Sequence, residues 1–307
     1  MLITMNSDSD HFLIVITGPT ASGKTTLSIE IAQFFSAEIL SADSRQFYRE
    51  MKIGTARPSD EQLSIVPHHF IGHLSISDYY NVSKYESDVL KTLEHLFAGS
   101  SFAILTGGSG LYINAVCHGI DELPDSDQSL REQLKDLYQK KGIRILQEKL
   151  RELDPEYYKK VDLSNPNRLL RAVEVCLTTG ISYSELRKNM RVPRNFRIIK
   201  IGLQRDREDL NHRINQRVET MMEDGLLEEV KELLPYRHLN ALNTVGYKEL
   251  FDYLDGKYSL AQAVEKIKTN TRRFAKRQMT WFRKDNEIKW FHPDELEKIV
   301  QMVESQK

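Results

Sequence analysis

Residues 18–25 read GPTASGKT, between the apolar run FLIVIT and the amphipathic stretch TLSIEIAQFF, and match the G-x-x-x-x-G-K-[ST] pattern of a phosphate-cradling loop. Gly18 and Gly23 let the backbone turn so that successive N–H groups face phosphate oxygens, with Pro19, Thr20, Ala21 and Ser22 completing the cradle. The positive end of the following helix dipole adds to the attraction. Lys24 supplies a point charge, and the Thr25 hydroxyl is placed to ligate Mg²⁺. Loops of this kind are nucleotide-binding, ATP above all, and most of them move a phosphoryl group. Which phosphate this one holds has to be argued from the rest of the chain.

A second candidate is SADSRQFY, residues 41–48, where an apolar run ends in Asp43. In open parallel sheets ligands sit at the carboxyl ends of strands, so Asp43 is expected in the crevice of the phosphate loop. Its carboxylate there is a Mg²⁺ ligand, a general base, or a plain cap of the following turn. The third is TGGSGLY, 106–112, also after an apolar run. Its glycines permit a close approach of ligand or backbone, and Ser109 offers a hydroxyl, although an ordinary strand-to-helix turn has the same composition.

The elements that must hold these loops follow from the hydrophobic periods. FLIVIT, AEILSAD, FAILTGG, RIIKIGLQ (197–204) and EIKWF read as strands separated by helical patterns, among them VSKYESDVLKTLEHLF, which argues for an α/β fold with a parallel sheet flanked by helices. From Asp121 the texture becomes helical and charged, with only one short strand-like run. The expected organisation is therefore a first part of the core at 1–120, a helical insertion at 121–193, and a continuation with basic C-terminal helices at 194–307. No apolar run approaches the roughly 18–20 residues that span a bilayer. The opening residues are acidic where a signal peptide is basic, so a cytoplasmic enzyme is expected. Cys117 and Cys176 stand alone and read as small buried apolar residues.

Net charge is −1, but KTNTRRFAKRQMTWFRK, 268–284, carries seven basic residues and no acidic one, leaving −8 on the other 290 residues. A basic element on an otherwise acidic chain is the footprint of a nucleic-acid contact confined to one face. At about 100° per residue, Ile267, Phe274 and Trp281 share one face of that helix and Arg272, Lys276 and Arg283 the opposite one. The apolar set is expected to pack on the core.

The stretches GPTASGKT, ADSRQFY, MKIGTARP (51–58), PHH (67–69), TGGSGLY, NPNRLLRAVEV (165–175), NTVGYKEL (243–250) and TRRFAKRQMTWFRK (271–284), taken in order, resemble the tRNA dimethylallyltransferases, also called tRNA isopentenyltransferases. The likeness runs from about Ile14 to about Arg283, with Ser109 where the family often has Thr. The sequence given ends without the zinc finger of some eukaryotic members, so the bacterial form is expected. This resemblance implies transfer of the dimethylallyl group of dimethylallyl diphosphate to N6 of the adenosine 3′ of a tRNA anticodon by a monomer using Mg²⁺. The phosphate loop then holds a diphosphate that leaves from carbon, Asp43 is the base, and Ser109 and Arg217 complete the catalytic set, with Arg213 one helical turn from Arg217 and indistinguishable by period.

The resemblance also implies contacts to the tRNA anticodon stem-loop. They come from Asp43, Ser44, Arg45, Gln46 and Ser109, and from Arg131, Asn167, Arg168 and Arg171 in the insertion. Further contacts come from Asn243, Gly246, Tyr247 and Lys248, and from Lys276, Arg277, Gln278, Trp281 and Arg283. Gln46 is a candidate reader of the adenine edge and Arg45 a stacking or phosphate-binding group, since bases of RNA loops are splayed onto such side chains. His68 and His69 lack a third metal ligand nearby in sequence and read as structural or RNA-contacting. A P-loop kinase accounts for the loop and Asp43 but not for the basic helix; a non-catalytic RNA-binding module accounts for the helix but not for the loop.

Overall fold

A computed structural model describes residues 10–188 and 190–307. The chain divides into two compact units, one running up to Cys117 and resuming at Pro193–Lys307, the other His118–Val192. The first is built on a six-stranded, wholly parallel sheet of β1 (Phe12–Thr17), β2 (Glu38–Ser41), β3 (His68–His69), β4 (Phe102–Gly107), β5 (Arg197–Leu203) and β6 (Lys289–Phe291) in the order β3-β2-β4-β1-β5-β6. The two-residue β3 is too short to leave a sequence signal. Its His69 ring nitrogen lies 2.7 Å from the Glu38 carboxylate at the sheet edge, and His68 Nδ1 lies 2.8 Å from the Val66 carbonyl.

Helices α1 (Lys24–Phe35), α2 (Asp60–Ile65), α3 (Val82–Phe97) and α4 (Gly110–His118) connect the strands, and α5 (Gln128–Lys141), α6 (Arg144–Leu153), α7 (Pro155–Tyr158), α8 (Pro166–Thr179) and α9 (Tyr183–Leu186) belong to the second unit. After β5 come α10 (Arg207–Glu223), α11 (Leu226–Glu232), α12 (Tyr247–Leu254), α13 (Leu260–Phe282) and α14 (Leu296–Glu304). Among the described residues the insertion holds helices and no strand, so the short strand-like run expected there does not form one. The all-helical unit has its own core of Leu134, Leu146, Leu150, Leu169 and Val173, and it begins three residues before and ends one residue before the boundaries read from the sequence. No described helix is long and apolar enough to cross a membrane.

Alternation along β1 decides which helices cover which face. Phe12, Ile14 and Ile16 pack with α1 and α14, whereas Leu13 and Val15 pack with α3 and α4. Cys117 lies in the second of these clusters and Cys176 in α8, both as buried free thiols, and burial pushes the Cys117 thiol up to about 12, leaving it inert. Helices α10 to α13 share a further apolar core with Tyr48 and Met51, so the segment after β2 is tied to the C-terminal helices.

Candidate active site

Register brings the three sequence motifs together. Thr17 pairs with Gly107, and Ser41 and Ile16 both pair with Thr106, so β1, β2 and β4 end level and their loops emerge side by side from the central strands. The segments are stitched to one another: Ala42 N donates to Thr106 O, Ser109 N donates to Ala42 O, and the Ser109 hydroxyl accepts from Ser44 N at 3.0 Å and donates to the Ser44 hydroxyl at 3.1 Å. Ser109 thus braces the turn that carries Asp43. The Asp43 carboxylate accepts from Arg45 N at 3.1 Å, which aims the side chain into the cavity rather than along the strand.

That cavity measures about 210 Å³ and is lined by Thr20 to Thr26, Asp43, Gln46, Thr55, Ala56, Pro58, Gln62, Arg213, Arg217, Phe274 and Gln278. The loop after β1 forms its floor. Gly18 has φ 145°, and a Cβ there would meet the Leu203 carbonyl at 2.7 Å, so both conformation and space demand glycine. Ala21, at φ 64°, is a strained residue whose methyl packs against Ile214 of α10 and Ala275 of α13. The Lys24 ammonium donates to the carbonyls of Gly18 and Pro19 at 3.0 and 2.7 Å. Burial, then the neighbouring Arg217, lower its pKa to about 7 against the pull of Asp43.

Arg213 and Arg217 of α10 both reach the loop. Arg217 Nη1 donates to the Thr20 hydroxyl at 3.2 Å and Arg213 Nε to the Ala21 carbonyl at 3.0 Å, so period and position alike give the two guanidinia to one pocket. Burial and the adjacent Arg213 lower the Arg217 pKa while Asp43 raises it. Sequence reading missed a third: Arg205 donates to the Ser22 carbonyl at 3.1 Å and pairs with Asp209 at 3.0 Å. Lys24, Arg213 and Arg217 line the cavity with the single carboxylate of Asp43, which makes it a cation-rich anion site, while Arg205 lies outside that lining and is offset by its pair with Asp209. Behind Lys24, a smaller polar cavity of about 50 Å³ is lined by Thr25, Ser41, Asp43, His68 and Thr106, whose hydroxyl is buried without a hydrogen-bond partner. Hydroxyl and carboxylate oxygens in such a space are a donor set suited to Mg²⁺.

Several sequence expectations change in three dimensions. On α13 the buried residues are Ala263, Ile267, Ala275, Gln278 and Phe282, while Phe274 and Trp281 are about two-fifths exposed, at 40% and 39%. The inner face is rotated from the expected one because Ala275 and Gln278 fit under the loops where larger rings do not. Lys276, Arg277 and Arg283 are exposed, and Arg272 is bound to Asn215 at 2.6 Å. Gln278 does not stand on the exposed basic face: it is buried against the loops and lines the cavity, accepting from Thr20 N at 2.9 Å and donating to Gly108 O at 3.0 Å. Two glycines of TGGSG follow from the packing of α13, since a Cβ on Gly108 would lie 2.2 Å from Gln278 Nε2 and one on Gly110 2.2 Å from Trp281 Nε1.

Tyr247 is likewise fully buried and unable to touch a macromolecule; its hydroxyl donates to Glu229 at 2.6 Å. Glu229, absent from the sequence reading, also accepts from the backbone of Lys52, Ile53 and Gly54 at 2.8 to 3.0 Å and anchors the segment that roofs the cavity. Gln46 Nε2 holds the carbonyls of Thr55 and Ala56, so its carboxamide is engaged with the roof, and Arg45 donates to the carbonyls of Asn240 and Ala241 at 3.0 Å. Asn243 and Lys248 are exposed and Gly246 is buried. In the insertion, Asn167 and Arg168 are exposed at the start of α8. Arg131 donates to the Ser126 hydroxyl, and Arg171 is tied to Glu174 and the Pro124 carbonyl.

The IPP transferase family model matches residues 46–285. The chain belongs to the IPP transferase family. It is 53% identical to tRNA dimethylallyltransferase 1 of Phocaeicola vulgatus over 293 residues, covering 95% of this chain and 98% of that protein. It is also 53% identical to tRNA dimethylallyltransferase of Christiangramia forsetii, over 96% and 98% of the two chains. Among solved structures, it superposes on the full-length tRNA isopentenylpyrophosphate transferase of Bacillus halodurans with a TM-score of 0.71 at 34% identity, over 96% of each chain. A eukaryotic dimethylallyltransferase acting on tRNA gives the same TM-score at 28% identity, over 89% of this chain and 70% of that one. As an IPP transferase the chain has a use for a cation-rich pocket with one carboxylate, and phosphoryl transfer is not the favoured reading.

Proposed function

We propose that this IPP transferase moves the dimethylallyl group of dimethylallyl diphosphate to N6 of the adenosine 3′ of the anticodon in tRNA. The observation that carries the reading is the shared cavity, in which Asp43 faces Lys24, Arg213 and Arg217 across the phosphate loop. An exocyclic adenine amine is a poor nucleophile, because its lone pair is delocalised into the ring. A carboxylate that takes its proton as the N–C bond forms lowers the barrier. Asp43 is that base. The allylic C–O bond breaks with its electron pair going to the diphosphate oxygen, and the charge growing there meets the loop N–H groups, Lys24 and the arginines. Thr25 would hold Mg²⁺, with Asp43 and Thr106 beside it, and the ion when bound supplies charge neutralisation at the leaving group.

The acceptor adenosine must leave its stack to reach the cavity, and an anticodon loop permits this more readily than a duplex. The exposed cations Lys276, Arg277 and Arg283 of α13 take the RNA backbone, and the partly exposed rings of Trp281 and of Phe274, which lines the cavity, are offered to unstacked bases. Asn243 and Lys248, and Arg131, Asn167 and Arg168 of the insertion, add polar contacts. The enzyme acts as a cytoplasmic monomer. Incubation with labelled dimethylallyl diphosphate and unmodified tRNA, followed by nucleoside analysis, tests the proposal. Label in N6-dimethylallyladenosine is expected; label transfer from ATP to a small acceptor, with none from the allylic donor, would refute it.

A further inference from the structure

We infer that Gln278 is a positioning residue for the phosphate loop, holding the segments after β1 and β4 at a fixed separation. The inference rests on the reading of that loop as the diphosphate site. The carboxamide accepts from Thr20 N at 2.9 Å and donates to Gly108 O at 3.0 Å, and the residue is 7% exposed. Only a side chain that accepts and donates in one plane can do both; a carboxylate would set an anion against the Gly108 carbonyl, and methionine offers neither function.

Thr20 is gripped from its other side, where its hydroxyl accepts from Arg217 at 3.2 Å. Its backbone N–H is committed to Gln278 and not free for phosphate, and the turn that follows, in which Ser22 N donates to the Pro19 carbonyl, is set from a fixed point. Room for this brace exists only because Gly108 has no side chain, since a Cβ there would lie 2.2 Å from Gln278 Nε2. Gly108→Ala therefore displaces the carboxamide without altering the phosphate loop itself, which gives two independent ways of removing one contact.

The test measures binding of inorganic diphosphate and of tRNA to the full-length protein, each by calorimetry or fluorescence, with a thermal melt as a folding control. Gln278→Met and Gly108→Ala are each expected to raise the Kd for diphosphate by about tenfold, the scale of one or two lost neutral hydrogen bonds. The affinity for tRNA should stay within about twofold, because the side chain is buried and uncharged. The double variant should bind diphosphate no worse than the weaker single variant, since both remove the same brace. Unchanged diphosphate affinity in both single variants, an equal loss of tRNA affinity, or full additivity in the double variant each overturns the positioning role. Failure of the wild type to bind diphosphate overturns the donor-site reading itself, and is told apart because it appears before any substitution is made.

Discussion

Replacing Lys24 with methionine should abolish a proton uptake that accompanies diphosphate binding at pH 8. In the ligand-free loop the ammonium is enclosed, faces Arg217, and has only the Gly18 and Pro19 carbonyls to donate to, which brings its pKa from 10.5 to about 7. With that value, roughly one loop in ten carries the charge at pH 8. A bound diphosphate restores the full charge, so the wild type should take up close to one proton per site beyond whatever the ligand exchanges on its own. Affinity from this group alone should then fall by up to about tenfold per pH unit between about pH 7 and the higher pKa of the complex. Calorimetry in buffers of different ionisation enthalpy, on wild type and Lys24→Met, gives the proton count, and the difference between the two proteins cancels the ionisation of diphosphate itself. Equal counts in the two proteins would refute the reasoning. The unliganded protein offers a second check: the unfolded chain binds this proton up to about pH 10.5 and the folded chain only to about pH 7, so stability should rise with pH across that window. Lys24→Met should lack the rise.

Asp43→Asn keeps the shape of the side chain but cannot take a proton, so single-turnover transfer should slow by about 10² to 10⁴ with donor and tRNA binding within a few fold. Recovery of rate at high Mg²⁺ would assign the carboxylate to the metal instead. Lys276→Ala with Arg283→Ala should weaken tRNA binding and flatten the plot of log K against log salt by roughly 0.7 to 0.9 per lost phosphate contact, with diphosphate affinity retained; an unaltered slope would take these residues out of the interface. Glu229→Ala leaves three backbone N–H groups and the Tyr247 hydroxyl without their acceptor and should cost about 2 to 4 kcal/mol in chemical denaturation, with a loss of donor affinity as the roof loosens. Full stability would show that the roof does not depend on it.

The loop of residues 18–25 and the strand ends at Asp43 and Gly107 were legible because their signals are local. Glycine positions, an apolar run of strand length and the start of an amphipathic helix all lie within about twenty residues of one another, and parallel order then brings such loops to one edge of the sheet. The basic helix was legible for the same reason, as a run of charge. Only the tertiary structure decided which side of it faces inward. A period of 3.6 residues separates two faces without saying which is covered, and the narrow space beneath the loops accepts Ala275 and Gln278 and leaves Trp281 partly exposed and Phe274 against the cavity. Glu229 and Arg205 gave no local signal. Glu229 meets the backbone of Gly54 across 175 residues of sequence and Arg205 meets Ser22 across 183, and a hydrogen bond to a backbone group makes no demand on the type of the residue that supplies it. The sequence determines which loops can hold phosphate; the packing of distant helices determines how those loops are aimed, because each brace depends on a separation that no segment of the chain encodes alone.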